Sequence, residues 1–573
     1  MAVEKLIVDH IDTWTTALQT RSTAGRGSSG KIDLYGIKKL RELILELAVR
    51  GKLVPQDPND EPASELLKRI AAEKAELVKL GKIKKPKPLP EISEEEKPFE
   101  LPVGWEWIQI SEIGHDWGQK TPDEDFTYID VGSINKEFGI IEEPSILSAK
   151  DAPSRARKIV QKGTVIYSTV RPYLLNIAII ESTFSPEPIA STAFAIIHPY
   201  TAMNANFIYY YLRSPVFINY VESCQTGVAY PAINDKQFFS GIIAVPPSSE
   251  QARITKKIKE LMSLCDQLEQ HSLTSLDAHQ QLVETLLTTL TDSQNAVELA
   301  ENWARISEHF DTLFTTEASI DAFEHTILQL AVTGKLSAHY CNDTNVEETL
   351  AIIHETKKDL VKKKLYQKTS VLKPKNMELI FPPYWSHTQL GEICFSIVPN
   401  RDKPKKFSGN IPWVTLPDFP DSSLYLDTDV INLGLSPDEI EEFKSKAAPK
   451  NSILMSCIGR FGLTAISKCE VVTNQQIHIF VPIGNTSSEF LSYVIRSQKK
   501  ILEENSTSTT IAYLNKSNCE SIEFGLPPIE EQQRIVQKIN ELLNICSTLK
   551  SGIRNAQQTQ LHLADALTDA AIN

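Results

Sequence analysis

Covalent chemistry needs a nucleophile, a metal cage or a cofactor loop, and this 573-residue chain offers only fragments of each. The stretch FPPYW (residues 381–385) is close to the [ND]PP[YF] loop with which amino-methyltransferases hold a target base. That loop needs a side-chain acceptor at its first position, and Phe381 has none; 280 residues earlier the chain writes LPVGW in the same place. Both stretches read as turns that lead into a domain. PDEIEEFK (residues 437–444) spells the carboxylates of a metal-dependent nuclease. Cleavage, however, needs carboxylates converging on an ion from separate elements, and these share one short acidic turn. No GxGxxG links a predicted strand to a helix and no GxxxxGK[ST] occurs, so neither dinucleotide binding nor ATP-driven movement is expected. Eight cysteines without a CxxC pair predict reduced thiols in a cytoplasm, with no disulfide frame and no zinc site. The expectation is a chain with no catalytic residue, no metal and no cofactor of its own.

The elements that surround these fragments come in two copies. ILELAVRGKL (residues 44–53) returns 283 residues later as ILQLAVTGKL (residues 327–336). GWEWIQISEIG returns as YWSHTQLGEIC, and FIYYYLRS as FLSYVIRS. VPPSSEQARITKKIKELMSLCDQL (residues 245–268) returns as LPPIEEQQRIVQKINELLNICSTL (residues 526–549), with offsets drifting only between 280 and 288 along the chain. A period this long exceeds the ~20–50 residues of a solenoid repeat. It describes two complete domains joined by matching connectors, as the length alone predicts for a chain too large for one core.

Each copy begins with an amphipathic helix stopped at a glycine, Gly51 or Gly334. A second helix near residues 62–80 follows, then a Pro-, Lys- and Glu-rich linker, GKIKKPKPLPEISEEEKP. GTVIYSTV, NIAIIES and STAFAIIHP have strand composition, and NSILMSCIG repeats it. Each β-rich block leaves through a Pro-Pro pair into a long helix. Its apolar positions alternate at +4 and +3: Ile254, Ile258, Leu261, Cys265 and Leu268, then Ile535, Ile539, Leu542, Cys546 and Leu549 in the same register. Two in-register stripes of about two heptads favour helices that pack on each other as a coiled coil. The expected fold class is α+β: two similar β-rich globular domains separated by two long antiparallel coiled-coil helices, an internal repeat with pseudo-twofold symmetry.

The doubled exit PP..EQ.RI..KI.EL and the doubled W....[IL].EI resemble the specificity (S) subunits of Type I restriction–modification enzymes, the HsdS family. The opening LRELILELAVRGKLVPQDPNDEPASELLKRI is similar to the longer-armed subfamily. The resemblance implies residues 1–99 as a helical arm and linker, 100–247 as target-recognition domain 1 and 248–292 as a central spacer helix. It implies 293–380 as a second arm, 381–528 as target-recognition domain 2 and 529–573 as a C-terminal spacer helix. Each domain would read half of a bipartite double-stranded DNA target, and the helices would fix the half-site spacing and dock two methyltransferase (M) subunits. S-adenosylmethionine would then belong to the M subunits, ATP and Mg to restriction (R) subunits, and the location would be the cytoplasm of a bacterium or archaeon. A duplicated protein-interaction adaptor is the alternative.

Base reading needs Arg, Asn or Gln on loops that enter a groove, and phosphates are met by Lys and Arg. The candidates in the first block are Gln119, Lys120, Lys158, Arg171 and Tyr173. In the second they are Arg401, Lys403, Lys405, Arg460 and Gln475. The net charge of −14 opposes nucleic acid as a partner. Residues 100–247 hold 10 Lys and Arg against 16 Asp and Glu, and residues 381–528 hold 13 against 16. DNA contact must therefore rest on local patches, with partner subunits neutralising most phosphates. No apolar run approaches the ~18 residues of a membrane span.

Overall fold

The computed structural model describes all residues except 1–2, 22–30, 85–89, 228–229, 367–368, 370–371, 375–379, 400–402, 421–422, 507–511 and 573. Contacts divide the chain into two compact units. The first holds Met1–Thr23, Ser29–Thr274 and Gln557–Asn573, and the second holds Ser275–Ala556 with Ala24–Ser28. Two helices of 45 and 44 residues, Ser248–Asp292 and Ile529–Ile572, each begin in one unit and end in the other. No described helix is long and apolar enough to cross a membrane.

The repeated GKL closes an arm helix in each unit. Tyr35–Val49 buries Ile37, Leu40, Leu43, Ile44 and Leu47 on one side. It stops because Gly51 turns left-handed at φ 69°, letting Lys52 N donate to Leu47 O at 2.8 Å and Gly51 N to Ala48 O at 3.3 Å. Those two bonds satisfy carbonyls the helix end would otherwise orphan. Glu317–Val332 ends the same way: Gly334 at φ 73°, Lys335 N to Leu330 O at 2.9 Å and Gly334 N to Ala331 O at 3.3 Å. A Cβ at either glycine would also lie 2.5 Å from the lead-in proline, Pro102 or Pro382. FPPYW is thus the packing partner of a helix stop.

Each β-rich block is closed by an antiparallel strand pair that joins its start to its end. Glu106–Gln109 pairs with Ile242–Val245, and Ser386–Gln389 with Glu523–Leu526. Inside the first block one sheet runs in the order Ile177–Ile179, Val165–Ser168, Phe194–Pro199, Gly114–His115. The second repeats it with Thr464–Ile466, Ile453–Ser456, Ile477–Pro482, Cys394–Ile397. A second sheet accompanies each, four-stranded in the first block and three-stranded in the second, and contains a parallel pair, Phe126–Ile129 with Pro188–Ser191 and Ile411–Val414 with Val472–Thr473. The strands read as continuous apolar runs because both faces are covered. Ile166, Phe194 and Ile196 share a core with Ile129 and Ala190 of the second sheet, while Tyr167 meets Phe217 and Phe238 of the helices on the other face. FIYYYLRSPVFINYV forms Ala205–Leu212 and Pro215–Cys224, with Ser214 capping the second helix and Pro215 at its first position.

Each stripe on the long helices lies within the unit where its helix begins. Ile254, Ile258, Leu261 and Cys265 are buried and Leu268 is half-buried in the first. Ile535, Ile539 and Cys546 are buried in the second, with Leu542 and Leu549 packed against the same core as Ile320, Ile327 and Trp385. The arm helices anchor to these segments by ion pairs whose signs are exchanged between copies. Arg41 meets Asp266 and Glu269 at 2.6 Å in the first unit. Glu324 and Asp321 meet Lys550 at 2.8 and 2.5 Å in the second, and Glu317 meets Arg554 at 2.6 Å.

Candidate nucleic-acid interface

The exit motif explains itself once folded. Glu250 Oε2 accepts from Trp105 Nε1 at 3.0 Å, and Gln251 Oε1 accepts from Asn204 N at 2.9 Å while its Nε2 donates to Pro246 O at 3.1 Å. Arg253 grips Asp60 with two bonds of 3.2 and 2.5 Å. The second unit repeats all three: Glu531 with Trp385 at 3.2 Å, Gln532 with Ser487 N at 3.0 Å and Pro527 O at 2.9 Å, and Arg534 with Asp343 at 3.0 and 2.6 Å. The arginines hold both aspartates below the usual carboxylate range, whereas burial pushes Glu250 above it. These residues hold each β-rich block, and with it the block's loops, on its arm and long helix.

Three of those loops meet at one rim in the first unit. Thr169, just after strand Val165–Ser168, donates through its backbone N–H to Ala193 O at 2.9 Å and accepts from Ile233 N at 3.0 Å. Arg171 N then donates to Pro231 O at 2.8 Å. Arg171 is held at φ 50°, ψ 58°, a left-handed conformation costing an L-residue about 1–2 kcal/mol. Such strain is retained where the surroundings over-determine it, commonly at functional sites. The guanidinium carbon stands 4.8 Å from the centre of the Tyr230 ring, and Tyr230 and Tyr173 are 69% and 51% exposed. Thr192 N donates to Arg155 O at 2.8 Å, which brings exposed Arg155 to the same edge.

The second unit builds the same rim. Cys457 N donates to Gln476 O at 2.9 Å and Cys457 O accepts from Leu514 N at 3.0 Å, while Ile458 bridges to Tyr513. Arg460 is exposed beside it, Gln475 is exposed at the tip of the turn before strand Ile477–Pro482, and Tyr513 is 47% exposed. Tyr513 takes the bridging position that Ala232 holds in the first unit, two residues after Tyr230, so each rim carries an exposed tyrosine from this loop.

The remaining candidates lie elsewhere. Gln119 is exposed and bridges to Lys158 on strand Ala156–Ile159. Lys120 pairs with Glu187, and with Asp123 at 3.7 Å, so its charge is already answered. Lys158 is corrected: it faces inward, its side chain 6% exposed, and its ammonium is held 3.3 Å from Asp235, which removes it from the phosphate contacts. Lys403, Lys405 and Lys406 are exposed on the loop after strand Cys394–Ile397, with Lys403 5.8 Å from the Phe407 ring. That loop and the basic stretch 444–450 rest on one apolar cluster through Phe407, Phe443 and Ala447. Arg401 lies outside the described residues.

PDEIEEFK forms the short helix Pro437–Glu442. Glu439 is used for capping: it accepts from Ser436 N at 2.9 Å and Ser408 N at 3.1 Å, bonds that lower its pKa.

The two units share one α+β plan, and each carries a rim of loops tied by the same backbone bonds. The family model for the Type I restriction modification DNA specificity domain matches residues 102–278 and 382–557, and the chain belongs to that family. It is 47% identical to the Type I restriction enzyme EcoAI specificity subunit of Escherichia coli, with 100% of both chains covered. It is 44% identical to the EcoEI specificity subunit of the same species, again over 100% of both. Among solved structures it resembles in fold a chain from a type I R-M system, with a TM-score of 0.50 and 22% identity over 83% of this chain and 99% of that one.

Proposed function

We propose that this chain is the DNA specificity subunit of a Type I restriction–modification complex and has no catalytic centre of its own. The rim of the first unit (Arg155, Arg171, Tyr173, Thr192, Tyr230) reads one half of a bipartite double-stranded target. The rim of the second (Arg460, Gln475, Tyr513), with Lys403 and Lys405 beside it, reads the other. The observation that carries this reading is one three-loop rim made twice with the same backbone bonds, Thr169 to Ala193 and Cys457 to Gln476. The long helices set the gap between half-sites and dock two M subunits carrying S-adenosylmethionine; R subunits supply ATP- and Mg-dependent translocation and cleavage in the cytoplasm.

Arginines and exposed aromatics suit base edges and unstacked faces, while the few cations suit phosphate positioning. Because the chain is acidic overall, the M subunits supply most of the counterion release. Mobility shift with target DNA tests this. The chain alone binds weakly, and the complex with M binds tightly with a steep salt slope. Tight specific binding by the chain alone at roughly physiological salt contradicts the division of labour.

A further inference from the structure

The duplication supplies an internal comparison for any site present in one unit. Behind the rim, three positions change together between the copies. The first unit has Thr169, Ala195 and Phe238 where the second has Cys457, His478 and Cys519. Their equivalence is structural. Thr169 N and Cys457 N make the matching bonds to Ala193 and Gln476. Ala195 pairs with Tyr167 as His478 pairs with Met455. Phe238 and Cys519 sit in short helices capped by Asn234 and Asn515. In the first unit the Phe238 ring fills the space, 4.8 Å from Tyr167 and 5.7 Å from Phe217. In the second, three buried donor atoms all lie within 4.8 Å of one another.

We propose that the second unit, and not the first, binds one zinc ion through Cys457, His478 and Cys519. Zinc takes thiolate sulfur at about 2.3 Å in a tetrahedron, which sets two such sulfurs about 3.8 Å apart. Cys457 Sγ and Cys519 Sγ are separated by 3.8 Å. Two thiolates cancel the charge of the ion, so the loaded cluster is buried without net charge. Ser396 Oγ lies 2.9 Å from His478 Nε2, the kind of outer hydrogen bond that fixes a metal-binding imidazole. The three protein donors leave the fourth position to a small ligand. The donors come 62 residues apart or from a separate strand, so no CxxC spacing announced them. An ion here ties the loops carrying Arg460 and Tyr513 to helix Lys516–Glu520, because Cys457 O already accepts from Leu514 N. The site stands independently of the DNA reading.

The test uses the purified full-length chain, stripped with a chelator and titrated with Co2+ under reducing conditions. A single equivalent produces thiolate-to-cobalt absorption in the near ultraviolet and strong d–d bands in the red, and Zn2+ abolishes both. Cys457→Ser and Cys519→Ser lose the bands, while Cys394→Ser, which removes another buried thiol of the same unit, keeps them. Far-ultraviolet circular dichroism reports whether each variant folds, and the wild-type spectrum decides if one does not. No thiolate band in the wild type, or bands that persist in both cluster variants, overturns the proposal.

Discussion

Trp105 Nε1 donates to Glu250 Oε2 at 3.0 Å, linking the lead-in turn of the first β-rich block to the helix that leaves it. Glu250 is 1% exposed and, among the described residues, its one other side-chain donor is Gln56 Nε2 at 3.1 Å. Trp105→Phe therefore leaves a buried carboxylate short of a donor, a loss of about 1–3 kcal/mol. Trp385→Phe is milder, because Glu531 keeps Ser337 at 2.8 Å and Tyr384 at 3.3 Å. Urea unfolding of the two variants checks the order; equal losses contradict it.

Acid should weaken both units through one pair type. Asp60 and Asp343 lie below the ordinary range because Arg253 and Arg534 hydrogen-bond them. A carboxyl lowered by folding contributes stability above its unfolded pKa, about 3.9 for Asp, and loses that contribution as pH falls through the folded value. Glu250, raised by burial, has the opposite sign and becomes less unfavourable as its carboxyl protonates. Asp60→Asn and Asp343→Asn should thus lower stability at pH 7 and flatten the decline below about pH 4. An unchanged acid slope in both variants rules the assignment out.

The helix stop makes a sharper prediction. Gly334→Ala demands a left-handed alanine and a Cβ 2.5 Å from Pro382. The strain alone is about 1–2 kcal/mol, and displacement of the proline adds to it. Gly81, also left-handed at φ 70° but with nothing within 4 Å of an added Cβ, isolates the strain. Thermal unfolding of Gly81→Ala and Gly334→Ala should differ, with the second clearly worse.

Exchanged charges keep each arm on its own helix segment. Arg41 and Glu324 occupy equivalent positions, as do Glu269 and Lys550, so the pair is reversed between units. Arg41→Glu places three carboxylates together and should cost about 0.5–1 kcal/mol for these partly exposed groups. Adding Glu269→Lys should restore most of it. Failure of the double variant to recover would mean the pair contributes nothing beyond its surroundings.

Much of this was legible because the repeat doubles every structural signal. Glycine at 51 and 334, tryptophan at 105 and 385, and the Glu-Gln-x-Arg exit are each bound to another repeated residue, so spacing exposed them. Lys158 misled because three basic residues stand within RARK, while the strand's two-residue period turns Ala156 and Lys158 inward. Its partner Asp235 lies 77 residues away, beyond any local pattern. Tyr230 escaped notice because residues 225–233 carry no charge to draw attention. Cys457, His478 and Cys519 converge only through strand pairing and a helix cap.

The most direct measurement selects bound DNA from a randomised library with the chain and its M subunits, then repeats the selection with rim variants. Arg171→Ala and Tyr230→Ala should erase preference in one half of a bipartite consensus, and Arg460→Ala and Gln475→Ala in the other half alone. Loss spread over both halves from either pair, or a consensus unchanged by all four substitutions, would contradict two independent reading rims.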